Sequence, residues 1–231
     1  MDLIWDGLRE SIHIIRSGDY SLWEITLRSL LVSGSAVVLS LFIGIGVGAT
    51  IAFNDFRGRN LIFSLVNTGM GLPPVVVGLL VAIFFWRSGP FGHFRLIYTP
   101  AAMVVAQTVI ATPIVTGFTA AALRQLDPRL RMQVYALGAS RLQMLWIILW
   151  ETKLPLLAAV MAGFGGAISE VGASMMVGGN LAGETRVLTT AVMLEVSRGN
   201  FAPAIALSII LLVLIFLVNV VLTTVQQQEK T

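Results

Sequence analysis

Residues 29–53 read SLLVSGSAVVLSLFIGIGVGATIAF, from Ser29 to Phe53, without one ionisable side chain. A helix needs about 20 apolar residues to cross the hydrocarbon core of a bilayer, and this run is longer than that. Three more uncharged runs follow, at 61–86, 97–123 and 201–225. A shorter fifth, 154–168, comes after Glu151-Thr152-Lys153 and ends in Ser169-Glu170. These runs predict an all-α, polytopic membrane protein of about five transmembrane helices, near 23–53, 60–86, 97–123, 154–171 and 201–225. A single transmembrane domain then covers 22–225, between an amphipathic lead-in at 1–21 and a tail at 226–231.

Composition agrees. Of 231 residues, 56% are hydrophobic and 12% charged, half the roughly 25% charge of an average soluble domain. A soluble enzyme, a disordered chain and a nucleic-acid-binding domain are excluded. The net charge of +3, from 15 basic and 12 acidic residues, is too small for a phosphate-binding surface. With no cysteine there is no disulfide or thiolate site, and both histidines, His13 and His93, lie outside the long apolar runs.

The first twenty residues contain Asp2, Asp6, Glu10 and Asp19, unlike a signal peptide. Ile4, Trp5, Leu8, Ile12 and Ile15 recur at helical spacing, which suggests either a helix on the membrane surface or a frayed polar lead-in. Arg57 and Arg59 follow the first span, and Arg124, Arg129, Arg131 and Arg141 follow the third. By the positive-inside rule these loops face the cytoplasm, which puts the N-terminus outside and the C-terminus inside. Arg87 and Arg95 run against that trend.

Gly71-Leu72-Pro73-Pro74 interrupts the second span and Thr112-Pro113 the third. Proline removes a backbone donor, so each site reads as a break lining a transport path or as a packing kink. Gly44, Gly46 and Gly48 in the first span favour close helix packing. Asp127 is placed to cap a helix starting at Pro128, and Gly138 to end it. That gives a short basic helix in the 124–153 loop, which is either a docking knob for a cytoplasmic partner or a solvated connector. A second amphipathic stretch, 141–153, follows it.

Leu137-Gly138-Ala139-Ser140-Arg141 with Leu154-Pro155 resembles the EAA loop of type I ABC importer permeases. The resemblance implies the ABC transporter type-1 permease fold, with this helix as the coupling helix that docks on an ATPase subunit. Asp127, Pro128, Arg129, Arg131, Gln133, Tyr135, Ala136, Gly138, Ala139 and Ser140 would then form the contact. The family's signature Glu falls on Met132 and its two Ala on Gln133 and Val134. The Leu-Pro pair lies about one helical turn late, and the contact charge passes to Arg129 or Arg131.

A second resemblance runs from Ala167-Ile168-Ser169-Glu170-Val171-Gly172-Ala173, through Met176-Val177-Gly178-Gly179-Asn180, to Thr185-Arg186-Val187-Leu188-Thr189-Thr190-Ala191. It is similar to permeases for sulfate, molybdate and tungstate, and most similar to those for tungstate. With the breaks above, it implies a path or gate at Pro73, Pro74, Thr112, Pro113, Ser169, Glu170, Gly172, Gly179, Asn180 and Arg186. Glu170 closes an apolar run and is a functional candidate on that ground alone. It would pair with Arg186, cap a gate helix by accepting backbone donors, or snorkel at the interface. Gly172, Gly178, Gly179 and Asn180 would turn N–H groups outward toward an oxyanion, with Arg186 the nearest cation.

The chain has no phosphate loop of the G-x-x-x-x-G-K-[ST] type and no nucleophile elbow. The expected protein binds no cofactor itself, and ATP and Mg belong to a partner ATPase dimer. A second copy of the chain, an extracytoplasmic oxyanion-binding protein and membrane lipid complete its partners. Five spans are too few to enclose a gated path, which favours a symmetric homodimer. The alternative is a self-sufficient secondary transporter with Glu170 as proton carrier.

Overall fold

A computed structural model describes residues 2–17 and 20–228, all helix, turn or loop among the described residues. Eleven helices follow one another: α1 (Asp2–Ser17), α2 (Tyr20–Phe53), α3 (Arg59–Met70), α4 (Pro74–Phe85), α5 (Pro100–Arg124), α6 (Pro128–Ala136), α7 (Arg141–Glu151), α8 (Lys153–Ile168), α9 (Gly172–Gly178), α10 (Leu188–Ser197) and α11 (Phe201–Gln228). A 3-10 turn, Gly92–Phe94, lies between α4 and α5.

Three helices, α2, α5 and α11, are long and apolar enough to cross a membrane unaided. Their lipid-facing surfaces keep large apolar side chains exposed, Phe42 and Phe216 among them, as expected where lipid replaces water. The expected tail is a continuation of α11 as far as Gln228, and residues 229–231 lie outside the described set.

The spine of the fold is the α2–α5 pair, which makes the most extensive helix–helix contact. Gly44 and Gly48 allow it. A Cβ at Gly44 would stand 2.7 Å from Val115 Cγ1, and one at Gly48 2.9 Å from the Thr116 carbonyl. Gly46 points into open space, so the expectation that all three glycines serve packing holds for two. Helices α8 and α11 close the core around Val37, Phe164, Ala167 and Ile168.

The expected break at Thr112-Pro113 is absent, because α5 runs unbroken through it. Around it the Thr112 hydroxyl donates to the Thr108 carbonyl at 2.7 Å and that of Thr116 to the Thr112 carbonyl at 2.8 Å, back-bonds within the helix. The Pro113 ring is a packing element: a Cβ at Gly69 would meet its Cγ at 2.8 Å.

The second span, expected to be interrupted at Gly71-Leu72-Pro73-Pro74, is the bent pair α3 and α4, turned by 104° there. Pro73, extended at φ −61° and ψ 123°, obeys the restriction that a following proline imposes, and Pro74 then starts α4. The expected 141–153 stretch and the fifth span are likewise two helices, α7 and α8, meeting at 77°. Helix α8 ends at Ile168, short of the expected 171, so residues 169–171 form a link to a separate helix, α9.

The lead-in is a helix docked on α11. Gly7 and Ser11 are buried, and a Cβ at Gly7 would lie 2.9 Å from Ile205 Cδ1. Trp5 and Ile12 stay exposed, while the side chains of Ile4 and Leu8 lie outside the described set.

Candidate functional site

Two regions gather the candidate residues, one at each end of the spine. At the end where α5 begins, α9 wedges between α4 and α5. Val77, Val81, Met103, Ala106, Ala173 and Val177 form one buried cluster there. Glu170 stands at the head of α9, buried to 7% exposure. Its Oε1 accepts the Ala173 N–H at 2.7 Å, satisfying one of the donors a helix start leaves open. Its carbonyl accepts the Thr189 hydroxyl at 3.0 Å. One residue therefore ties together the end of α8, the start of α9 and the start of α10. Of the three roles considered for it, this geometry is the backbone cap. Ser169 turns its hydroxyl back to the Gly165 carbonyl at 2.7 Å.

Arg186 is engaged elsewhere. Its Nε donates to Asn180 Oδ1 at 3.3 Å and its Nη2 to the Asn180 carbonyl at 3.4 Å. Asn180 is buried, has φ +52°, and donates through Nδ2 to the Thr190 carbonyl at 3.3 Å. The glycines of this segment are close-approach points. A Cβ on Gly178 would strike Met103 Sδ at 2.7 Å, one on Gly179 the Tyr98 ring at 2.8 Å, and one on Gly172 Val75 Cγ2 at 2.6 Å.

The expected outward N–H groups are not seen at Gly179, and the loop after it also spends several donors internally. The N–H of Gly179 goes to the Met175 carbonyl, that of Leu181 to the Thr185 hydroxyl, and those of Glu184, Thr185 and Arg186 to the Leu181 carbonyl.

Several residues that hold this region escape a motif reading. Arg28 pairs with Glu24 at 2.5 Å and donates to the Gly183 and Arg186 carbonyls at 2.7 and 3.3 Å. Ser29 accepts the Leu188 N–H at 2.7 Å. Thr185, fully buried, donates to the Gly178 carbonyl at 2.6 Å. Gln107, buried in α5, donates to the Ser174 hydroxyl at 3.3 Å, while its Oε1 has no partner. The readable signal was a lone amide in an otherwise uncharged run, since buried amides demand partners.

Of the two proline sites, Pro73 and Pro74 make the α3–α4 bend beside α9. Thr112 and Pro113 lie deeper in α5, against α3.

At the opposite end, α6 is a capped helix. Asp127 Oδ1 accepts the Arg129 N–H at 2.9 Å, and Gly138, at φ +82°, turns the chain out of the helix. The Ala139 N–H reaches back to the Val134 carbonyl at 3.3 Å, a Schellman-type closure. Ser140 and Gln143 then form a capping box that starts α7.

One face of α6 is anchored. Val134 is buried with Ala49, Leu123, Met144 and Ile148. Arg131 donates to the Phe53 carbonyl at 3.2 Å and lies 4.9 Å from the Phe53 ring centroid. The opposite face is exposed: Arg129, Met132, Gln133 and Ala136, at the i, i+3, i+4, i+7 spacing of a helix stripe. Tyr135 flanks this stripe at 42% exposure. Arg129 is thus free for a partner, and Arg131 is held at the C-terminus of α2, where a cation is favoured.

Comparison with known proteins matches residues 37–230 to the family described as binding-protein-dependent transport system inner membrane component. A probable anion ABC transporter permease of Haloferax volcanii is 39% identical over 86% of this chain and 88% of its own length. The tungstate uptake system permease of Peptoclostridium acidaminophilum is 36% identical over 99% of this chain and 100% of its own length. Among solved structures, an amino acid ABC transporter superposes with TM-score 0.68 at 17% identity, covering 94% of this chain and 97% of that one. An inward-facing methionine transporter, MetNI, gives 0.67 at 17% identity, covering 90% and 94%. These likenesses show the type I ABC permease fold.

Proposed function

Because this chain belongs to the binding-protein-dependent transport system inner membrane components, we propose that it is the path-forming subunit for a tetrahedral oxyanion, tungstate first and molybdate second. The relatives carry the substrate class: the Peptoclostridium protein, similar over its whole length, is named for tungstate uptake, and the Haemophilus molybdenum permease is 30% identical over 71% of this chain.

The observation that carries the mechanism is the α6 geometry, with one face fixed to the ends of α2 and α5 and the other bare. Such a helix transmits a push from a docked ATPase dimer into the spine. Two copies pair about a two-fold axis, each offering one α6. ATP and Mg sit on the ATPase, and a separate extracytoplasmic protein captures the ion and delivers it. With the positive loops inside, α6 lies in the cytoplasm and the N-terminus outside. The α9 segment then lies at the outer end of the path, with Glu170 as its latch. The Ala173 N–H on Glu170 Oε1 supports the cap over the proton carrier.

The test is uptake of tungstate into vesicles holding the chain with its ATPase and binding protein. Deleting residues 127–138 should abolish ATP-linked uptake while the spans still insert and fold. Uptake that survives the deletion, or proton-coupled flux by the chain alone, would overturn the proposal.

A further inference from the structure

Arg87 and Arg95 run against the charge pattern of the loops, and the structure brings them to one place. They line, with Trp86, His93 and Tyr98, an open cavity of about 1100 Å³ between the end of α4 and the start of α5. Both arginines are exposed, and among the described residues neither has a carboxylate at ion-pair distance. Arg28, Arg59 and Arg198, by contrast, are each paired with a nearby acid. Arg186, the cation singled out from sequence, is occupied with Asn180.

The cavity also touches the gate segment. Tyr98 both lines it and packs on Gly179, and the Tyr98 N–H donates to the Val177 carbonyl of α9 at 2.8 Å. The Trp86 ring meets the Tyr98 ring edge-on at 6.5 Å. The backbone is held in the left-handed region at Arg95 (φ +53°), Tyr98 (φ +62°) and, one residue beyond Gly179, at Asn180 (φ +52°). Side chains other than Gly and Asn adopt that region at a cost, and such outliers gather at functional sites.

We propose that this cavity is an oxyanion-binding vestibule in which Arg87 and Arg95 hold a tetrahedral, doubly charged oxygen anion above the gate segment. The guanidinium fork matches two oxygens of such an ion at once. Exposure keeps the hold weak and salt-sensitive, which suits a site that must release its ion inward. The same chemistry fits the phosphate of a lipid headgroup. The contact with Tyr98 and Gly179 favours the transported ion. The inference rests on the oxyanion reading above and on its outside-to-inside orientation.

The experiment is equilibrium binding of tungstate to the full-length chain in phosphatidylcholine nanodiscs at low ionic strength, with chloride as the control anion. Arg87→Gln with Arg95→Asn should weaken binding about tenfold, roughly threefold for each exposed charge pair. Asn tolerates the left-handed backbone at 95, and the lysine pair, R87K with R95K, should restore part of the affinity. Arg57→Gln, exposed in the loop after α2 at the opposite end, should leave it unchanged.

Equal binding by wild type and the Arg87/Arg95 variant would overturn the vestibule. Tungstate uptake by the assembled transporter, run in parallel, would then show that the oxyanion reading itself survives. Absence of tungstate uptake in the wild type would instead remove that reading. A variant that sheds phosphatidylglycerol in mixed nanodiscs yet binds tungstate normally would identify a headgroup site and overturn capture of the transported ion.

Discussion

Glu170 gives the sharpest test of how the α9 segment is held. Its Oε1 accepts the Ala173 N–H at 2.7 Å in a site where Ala173 is fully buried. A hydrogen bond to a charged acceptor contributes about 1.5–3 kcal/mol and one between neutral groups about 0.5–1.5 kcal/mol. Glu170→Gln keeps an acceptor oxygen and loses the charge, a difference of about 1 kcal/mol, or roughly fivefold in the closed population of α9. Glu170→Ala orphans the buried N–H, a loss of about 1.5–3 kcal/mol, or roughly 13- to 160-fold. Amide hydrogen exchange of the 172–179 segment in nanodiscs reads both values, with oxyanion uptake measured alongside. The glutamine variant should retain most of its protection and transport, and the alanine variant should lose both. If the glutamine variant is as inactive as the alanine variant while its exchange stays at wild-type rates, the group acts by carrying a proton and the latch reasoning fails.

Three further outcomes follow from the packing. Gly44→Ala places a methyl group against Val115 and should destabilise the protein by about 1–3 kcal/mol, whereas Gly46→Ala, facing open space, should melt like the wild type in detergent. Asp127→Ala removes the cap of α6, worth about 1 kcal/mol, and should lower ATP-linked uptake more than it lowers the melting temperature. Arg131→Ala should loosen α6 from the Phe53 carbonyl and lower thermal stability, while Arg129→Ala should weaken ATPase co-purification at unchanged stability.

Charge-free runs revealed the membrane class and the number of apolar segments, because lipid imposes a length on every crossing. They did not reveal which segments bend. Gly71-Leu72-Pro73-Pro74 and Thr112-Pro113 look alike as strings, yet one turns the chain by 104° and the other leaves α5 unbroken. The difference lies in the neighbours. Two successive prolines restrict the residues before them, whereas Pro113 stands alone in a helix gripped by α2 on one side and seated on Gly69 on the other.

Asp127 and Gly138 were legible because caps are local. Glu170 could be recognised as unusual but not given a partner, since its choice between Arg186 and a backbone N–H depends on how the 179–187 loop folds. That loop is closed by the buried Thr185 hydroxyl, a contact no spacing rule announces. Arg87 and Arg95 were visible as charges out of place, and only the 3-10 turn between α4 and α5 brings them to a common cavity.

The 77° joint at Thr152 has a mechanical meaning. Helix α8, with 16 residues, is a rod about 24 Å long. It lies against α5 through Gly163 and Gly166, whose nearest outside contacts are side-chain methyl groups of Val115 and Ile114, a smooth bearing surface. One end is jointed to α7, which packs through Met144 and Ile148 on the anchored face of α6. The other ends two residues before Glu170. A swing of about 10° at the joint displaces the far end by about 4 Å, more than a hydrogen bond between Glu170 and Ala173 survives. In the proposed transporter, a small push at α6 would thereby be geared up into the release of the Glu170 contact.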